Sequence, residues 1–179
     1  MALSTIDAVS SILCNITVNL ISSNTKKQIH YSSTFQNIPK ISIRPAIGCF
    51  AQFSGDFNGL LVFNLSEGAA MTIYQNYMLN MGFPKNEIAN NYTSQDVPEA
   101  IGEITNQILG QSLSVVEEKY GLSASQSQPK ALALNSPITL VIDQHDCMNR
   151  RLSFRVDGYR FYLELAMEPT DLIIFRKAK

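Results

Sequence analysis

The sequence predicts an α+β domain of two similar α-β-β halves, with long helices packed on a mainly antiparallel sheet. Three observations lead there. Apolar residues recur at helical spacing in three separated stretches. The intervening and following stretches are rich in β-branched and aromatic residues. Two strong turn sequences, Gly55-Asp56-Phe57-Asn58-Gly59 and Asp157-Gly158, fold those β-rich stretches back on themselves.

The first helix is expected from about Ser4 to Leu20, with Ile6, Val9, Leu13, Ile16 and Leu20 on one side. Ser4 or Thr5 can cap it, and Asp7 falls in its first turn. Ile41 and Ile43 then alternate with polar residues before Pro45. Ile47 to Phe53 and Leu60 to Leu65 form the first hairpin. A second helix follows from about Ser66 to Met81, with Ala69, Ala70, Ile73, Tyr77 and Met81 on its apolar side, and Gly82 and Pro84 end it. Lys85 to Gln95 is polar and reads as an exposed loop.

The third helix spans about Val97 to Tyr120. Asp96 is its expected N-cap, and Glu99 completes a capping-box pattern. Gly121 closes it. Leu122 to Pro129, rich in Ser and Gln, reads as a mobile connection. The last third returns to strands: Ile138 to Ile142, then Arg151 to Val156 and Tyr159 to Leu165 around Asp157-Gly158, then Leu172 to Phe175. Each half thus holds a long helix, a linker, a strand after a proline (Pro39, Pro137) and a hairpin.

The 179 residues make about one domain at ~100–200 residues per domain. A 45% hydrophobic content can build a core, which argues against global disorder. The net charge of −1 and the absence of a basic cluster argue against nucleic-acid binding. The first residues lack the basic and apolar regions of a secretory signal, and no apolar run approaches the ~18 residues that suggest a membrane span. Three widely spaced cysteines, Cys14, Cys49 and Cys147, fit a reducing, cytoplasmic setting better than a disulfide framework. Asp143-Gln-His145-Asp146-Cys147 contains metal-ligand types but reads as a polar turn without a second cluster.

One helix face asks for an explanation. At about 100° per residue, Val97, Ile101, Ile104, Ile108 and Val115 form the core stripe of the third helix. Glu99, Glu103, Asn106 and Gly110 fall within an arc of roughly 60° on the opposite side. By itself this is either a solvated helix face or a site. Gly110 weighs against the first, because glycine costs ~1 kcal/mol relative to alanine inside a helix and lets another backbone come close.

The stretch Ile101-Gly102-Glu103-Ile104-Thr105-Asn106-Gln107-Ile108-Leu109-Gly110 resembles the signature helix of the CheC/CheX chemotaxis phosphatases. The glycine-bounded hairpin Gly55 to Phe63 and the helix Ala70 to Gly82 resemble what precedes that signature. The likeness extends over nearly the whole chain and implies a CheC-like fold. Two positions depart from the pattern: Glu99 stands where Asp or Ser is more usual, and Gln111 where Asn is frequent. A second copy of the motif on the first helix would be Asp7-x-x-x-Ser11-x-x-Cys14. Ser and Cys replace Glu and Asn there, so a single site is implied, as in the CheX branch.

The resemblance implies a phosphatase of phosphorylated response-regulator receiver domains. Asn106 would orient the attacking water and Glu103 would pair with the receiver's active-site lysine. Glu99 and Gly110 would lie in the contact. The chain would need no cofactor of its own, the Mg²⁺ belonging to the receiver. A homodimer through a sheet edge would also follow the family's habit. Two alternatives remain: a non-catalytic module of the same fold that uses the third helix or a sheet edge to hold a receiver or a second copy, and a structural or assembly protein with no receiver partner.

Overall fold

The computed structural model describes residues 4–139 and 147–169. Its helices are α1 (Thr5–Thr25), α2 (Glu67–Asn80) and α3 (Asp96–Tyr120). Its strands are β1 (Ile29–Tyr31), β2 (Gln36–Asn37), β3 (Ser42–Ile43), β4 (Ile47–Gly55), β5 (Gly59–Leu65), β6 (Ala124–Gln126), β7 (Lys130–Ala133), β8 (Ile138–Thr139), β9 (Met148–Val156) and β10 (Tyr159–Met167).

The main sheet runs β1-β9-β10-β5-β4-β6, with β2 also paired to β9 and β7 to β4. Every pairing is antiparallel. The hairpins form where their turn sequences place them. In the second, Asp157 and Gly158 take φ of 47° and 84°, the positive values that a tight two-residue turn requires.

The two halves are related by an internal two-fold. β4–β5 and β9–β10 are matching hairpins whose second strands, β5 and β10, pair at the centre of the sheet. Each half lends its two short post-helix strands to the other half's hairpin: β1 and β2 add to β9, while β6 and β7 add to β4. The remaining pair, β3 with β8, joins one strand from each half. The axis passes through the facing residues Val62 and Glu164. Among the described residues α2 has no counterpart.

The helices cover one face of the sheet. Alternating strand residues point at them, including Cys49, Ala51, Phe53, Leu61, Phe63, Leu152, Phe154 and Leu163. Phe161 stacks on Phe154 at 5.1 Å and meets Phe63 edge-on at 5.7 Å. A smaller cluster on the other face seats Ile41 and Ile43 of the β3 region over Leu60, Val62 and Ala166. The central strand β5, buried on both faces, accordingly reads as an apolar run from Leu60 to Leu65 broken only by Asn64.

Ser4 caps α1, its hydroxyl accepting from the Asp7 amide. The helix is long and apolar enough to cross a membrane by length and composition, but 56% of its apolar window is buried inside the molecule, the pattern of a core helix.

Several expectations are corrected. Ala124 to Gln126, expected to be mobile, is the strand β6 on the edge of β4. Asp96 lies inside α3; the cap position is Gln95, which makes no capping bond. Val116 rather than Val115 completes the buried stripe of α3. In α2 the buried aromatic is Tyr74, while Met81 stands exposed. The loop at Lys85 to Gln95 contains a short 3₁₀ turn and the buried Ile88. The expected strand at Leu172 to Phe175, the end of the one at Ile138 to Ile142 and most of the Asp143–Cys147 turn lie outside the described residues.

Candidate functional site

α3 is the element that carries the site. Val97, Ile101, Ile104 and Ile108 are fully buried on its inner side, which fixes the helix's rotation about its axis. The outer side then has no freedom. Glu99 and Glu103 stand exposed and Asn106 half-buried, along one edge of a cavity of about 640 Å³. Its other wall is the chain just after β6, from Gln126 to Pro129, with Ala131 of β7. The arrangement therefore brings together Glu99, Glu103 and Asn106, three of the four residues singled out from the sequence. Gly110, one turn further on, faces the side chain of Gln126.

Each polar group has a defined partner. Glu99 Oε1 accepts from Gln95 Nε2 at 2.8 Å. Glu103 Oε1 accepts from Gln107 Nε2 at 3.0 Å, and Gln107 Oε1 in turn accepts from Asn24 Nδ2 of α1 at 3.3 Å. Gln126 Nε2 donates to Asn106 twice, to the backbone oxygen at 3.2 Å and to Oδ1. The Asn106 amide is thus oriented, with its oxygen taken by Gln126.

A methyl group built at Gly110 would lie 3.6 Å from the Gln126 amide, an ordinary contact, so the fold itself does not demand glycine there. Gln126 was missed in the sequence. Its only signal is an alternating polar stretch after a glycine cap, which is how an edge strand with one solvated face reads.

The corresponding face of α1 is closed. Asp7 turns inward to Arg150 of β9, with Nε to Oδ1 at 2.8 Å. Burial pushes its carboxyl up, but bonds from the Ser4 hydroxyl and the Arg150 guanidinium outweigh this and hold it below the ordinary value. The Ser11 hydroxyl donates to the Asp7 carbonyl. Cys14 is buried, and burial pushes its thiol up to about 11. Burial likewise raises Cys49 to about 11, against a lowering bond from Thr105. Both thiols are therefore poor nucleophiles. Among the described residues no group of three His, Cys, Asp or Glu side chains could hold a metal ion.

The family model described as "Protein of unknown function (DUF3334)" matches residues 1–179. The chain belongs to the DUF3334 family. No curated protein matches it. Its fold is that of the CheC/CheX chemotaxis proteins. CheX from Desulfovibrio desulfuricans is similar at a TM-score of 0.76 and 17% identity, over 90% of this chain and 99% of that one. CheX from Vibrio vulnificus is similar at 0.73 and 16%, over 90% and 99%. The CheX–CheY–BeF₃–Mg²⁺ complex from Borrelia burgdorferi is similar at 0.67 and 11%, over 89% and 97%. The expected α+β architecture is thus found both in the chain's own topology and in its structural relatives.

Proposed function

We propose that this DUF3334 chain is a phosphatase for phosphorylated receiver domains, docking the open side of α3 against the receiver's active site. The observation that carries the reading is that Glu103 and Asn106 line one open cavity from one exposed helix edge. The shared fold supports it, since one relative of that fold was solved with CheY, beryllofluoride and Mg²⁺.

The reaction is hydrolysis of an acyl phosphate. Water attacks phosphorus in line, a new P–O bond forms, and the bond from phosphorus to the aspartate oxygen breaks, giving inorganic phosphate and a free carboxylate. Positioning and electrostatics carry such a step. Asn106 supplies a carboxamide, a donor and an acceptor at neutral pH, to orient that water. Glu103 supplies the charge that pairs with the receiver's lysine. Glu99 and the surface at Gly110 complete the contact, and the receiver brings the Mg²⁺.

Asn106→Ala tests this directly. The variant should fold and bind as the parent does and lose acceleration of receiver dephosphorylation by about 100-fold, the cost of misplacing a reacting group. A variant as active as the parent overturns the role of Asn106.

The second reading is a module that binds a receiver, or a second copy of itself through a sheet edge, without catalysis. The bond from Gln126 to the Asn106 oxygen favours it, because one of that oxygen's two acceptor positions is then already occupied. A parent protein that binds phosphorylated receivers yet leaves their phosphate lifetime unchanged would establish this reading over the first.

A further inference from the structure

The face of the sheet opposite the helices carries a row of basic residues that the α3 site does not use. His30, Arg155 and Arg160 are directly opposite one another on three adjacent strands, β1, β9 and β10. All three are exposed. Directly opposed cross-strand residues place their Cβ atoms only about 5 Å apart, and like charges there are destabilising.

Among the described residues the nearby acids on this face are engaged elsewhere. Asp157 in the adjoining turn is held by Lys27 at 2.8 Å. Glu164, two rows away, is held by Arg151 at 2.8 Å. Neither Arg155 nor Arg160 has an ion-pair partner among the described residues. They line a cavity of about 650 Å³ whose described walls contain no acidic residue. Ser153 and Tyr162, facing each other in the next row, add hydroxyl groups to it, and Tyr31 adds a half-exposed ring.

The fold does not require this charge. The internal two-fold places the facing pair Ser54 and Ser125 where Arg155 and His30 stand. The same backbone row in the other half is therefore neutral, and its sheet pairs equally well.

We propose that His30, Arg155 and Arg160 form a binding site for a phosphate group, free or carried on a small molecule. Two guanidinium forks side by side suit the oxygens of a phosphate, each able to donate two parallel N–H bonds. The bound anion offsets the repulsion within the row. The cavity is larger than a bare phosphate needs and lies in the ~300–1,000 Å³ range of small-molecule sites, which leaves room for a carrier.

The test titrates the full chain with inorganic phosphate and, separately, with ribose 5-phosphate, by calorimetry and by thermal unfolding. Saturable binding of either probe with a Kd at or below ~1 mM supports the site, and tighter binding of the ester assigns the carrier form. Arg155→Gln and Arg160→Gln should each weaken binding about tenfold or more, while the distant Lys85→Gln should not. Both arginines are exposed, so the variants should fold, and loss of repulsion should raise their unfolding temperature in phosphate-free buffer. No saturable binding of either probe up to ~10 mM, or arginine variants that bind as the parent does, would overturn the proposal.

Discussion

The side-chain amide of Gln126 donates to both the backbone and the side-chain oxygens of Asn106, tying the strand β6 to the outer face of α3. The bond fixes which way the Asn106 carboxamide points and leaves its Nδ2 as the group able to donate. A neutral hydrogen bond of this kind contributes only about 1 kcal/mol to stability.

Removing it should therefore be felt more in rate than in folding. Gln126→Ala should lower the unfolding free energy by no more than ~1 kcal/mol. In receiver dephosphorylation it should reduce kcat about tenfold with KM unchanged, the signature of a lost orientation in the transition state rather than lost docking. A purely structural role for Gln126 would shift the melting temperature and leave kcat in place.

Local signals in the sequence reach the hairpins and helices but not the strand that carries Gln126. The hairpins and helices were legible because their signals are local. Asp157-Gly158 makes its own turn, Ser4 and Ser66 cap the helices that follow them, and Gly121 takes the left-handed φ of 67° that ends α3. The Glu103–Asn106 ridge was legible because helical geometry alone places the two on one side. The short strands β1, β2, β6 and β7 were not, since two to four residues carry too few alternations to define a period, whereas β3 and β8 fall where strands are expected after Pro39 and Pro137. β6 exists because distant groups receive it. Asp56 Oδ2 accepts from the Ser123 amide at 2.8 Å, and the Gln52 amide donates to Ser127 Oγ at 3.0 Å. Nothing within Leu122 to Pro129 announces those partners. Val116 and Tyr74, rather than Val115 and Tyr77, are buried for a simpler reason: adjacent positions in one case and neighbouring turns in the other offer two apolar candidates, and only packing chooses.

Arg151 and Glu164 stand beside the internal two-fold axis. Glu164 is fully buried and accepts from Arg151 through Oε1 and from the Ser42 amide through Oε2 at 3.2 Å. Arg151 also lies over the Tyr162 ring, 5.4 Å from its centre. A buried carboxylate without its cation is expensive, about 3–5 kcal/mol when one partner of such a pair is removed. Arg151→Met should destabilise by that order in chemical denaturation. The double variant Arg151→Met/Glu164→Leu should recover most of the loss, because no unpaired charge is then left. Equal destabilisation in the single and double variants would show that the packing over Tyr162, not the ion pair, sets the cost.

Asp7 gives the molecule an acid-sensitive joint between α1 and β9. Its carboxyl is held below the ordinary 3.8 despite burial, by the Ser4 hydroxyl and by Arg150. A folded-state value below the unfolded one means that the unfolded chain binds the proton more readily. The stabilisation is then fully present above 3.8 and is lost as pH falls through the lower, folded value. Asp7→Asn should cost about 1–2 kcal/mol at pH 7, the worth of a charge-assisted bond in a site with partial water access. The gap between variant and parent should shrink on acidification and close once pH has fallen below the folded-state value of Asp7. Urea unfolding of both proteins across that range measures it. A gap that stays constant with pH would mean that the side chain acts through packing and capping alone, and that the closed face of α1 owes nothing to charge.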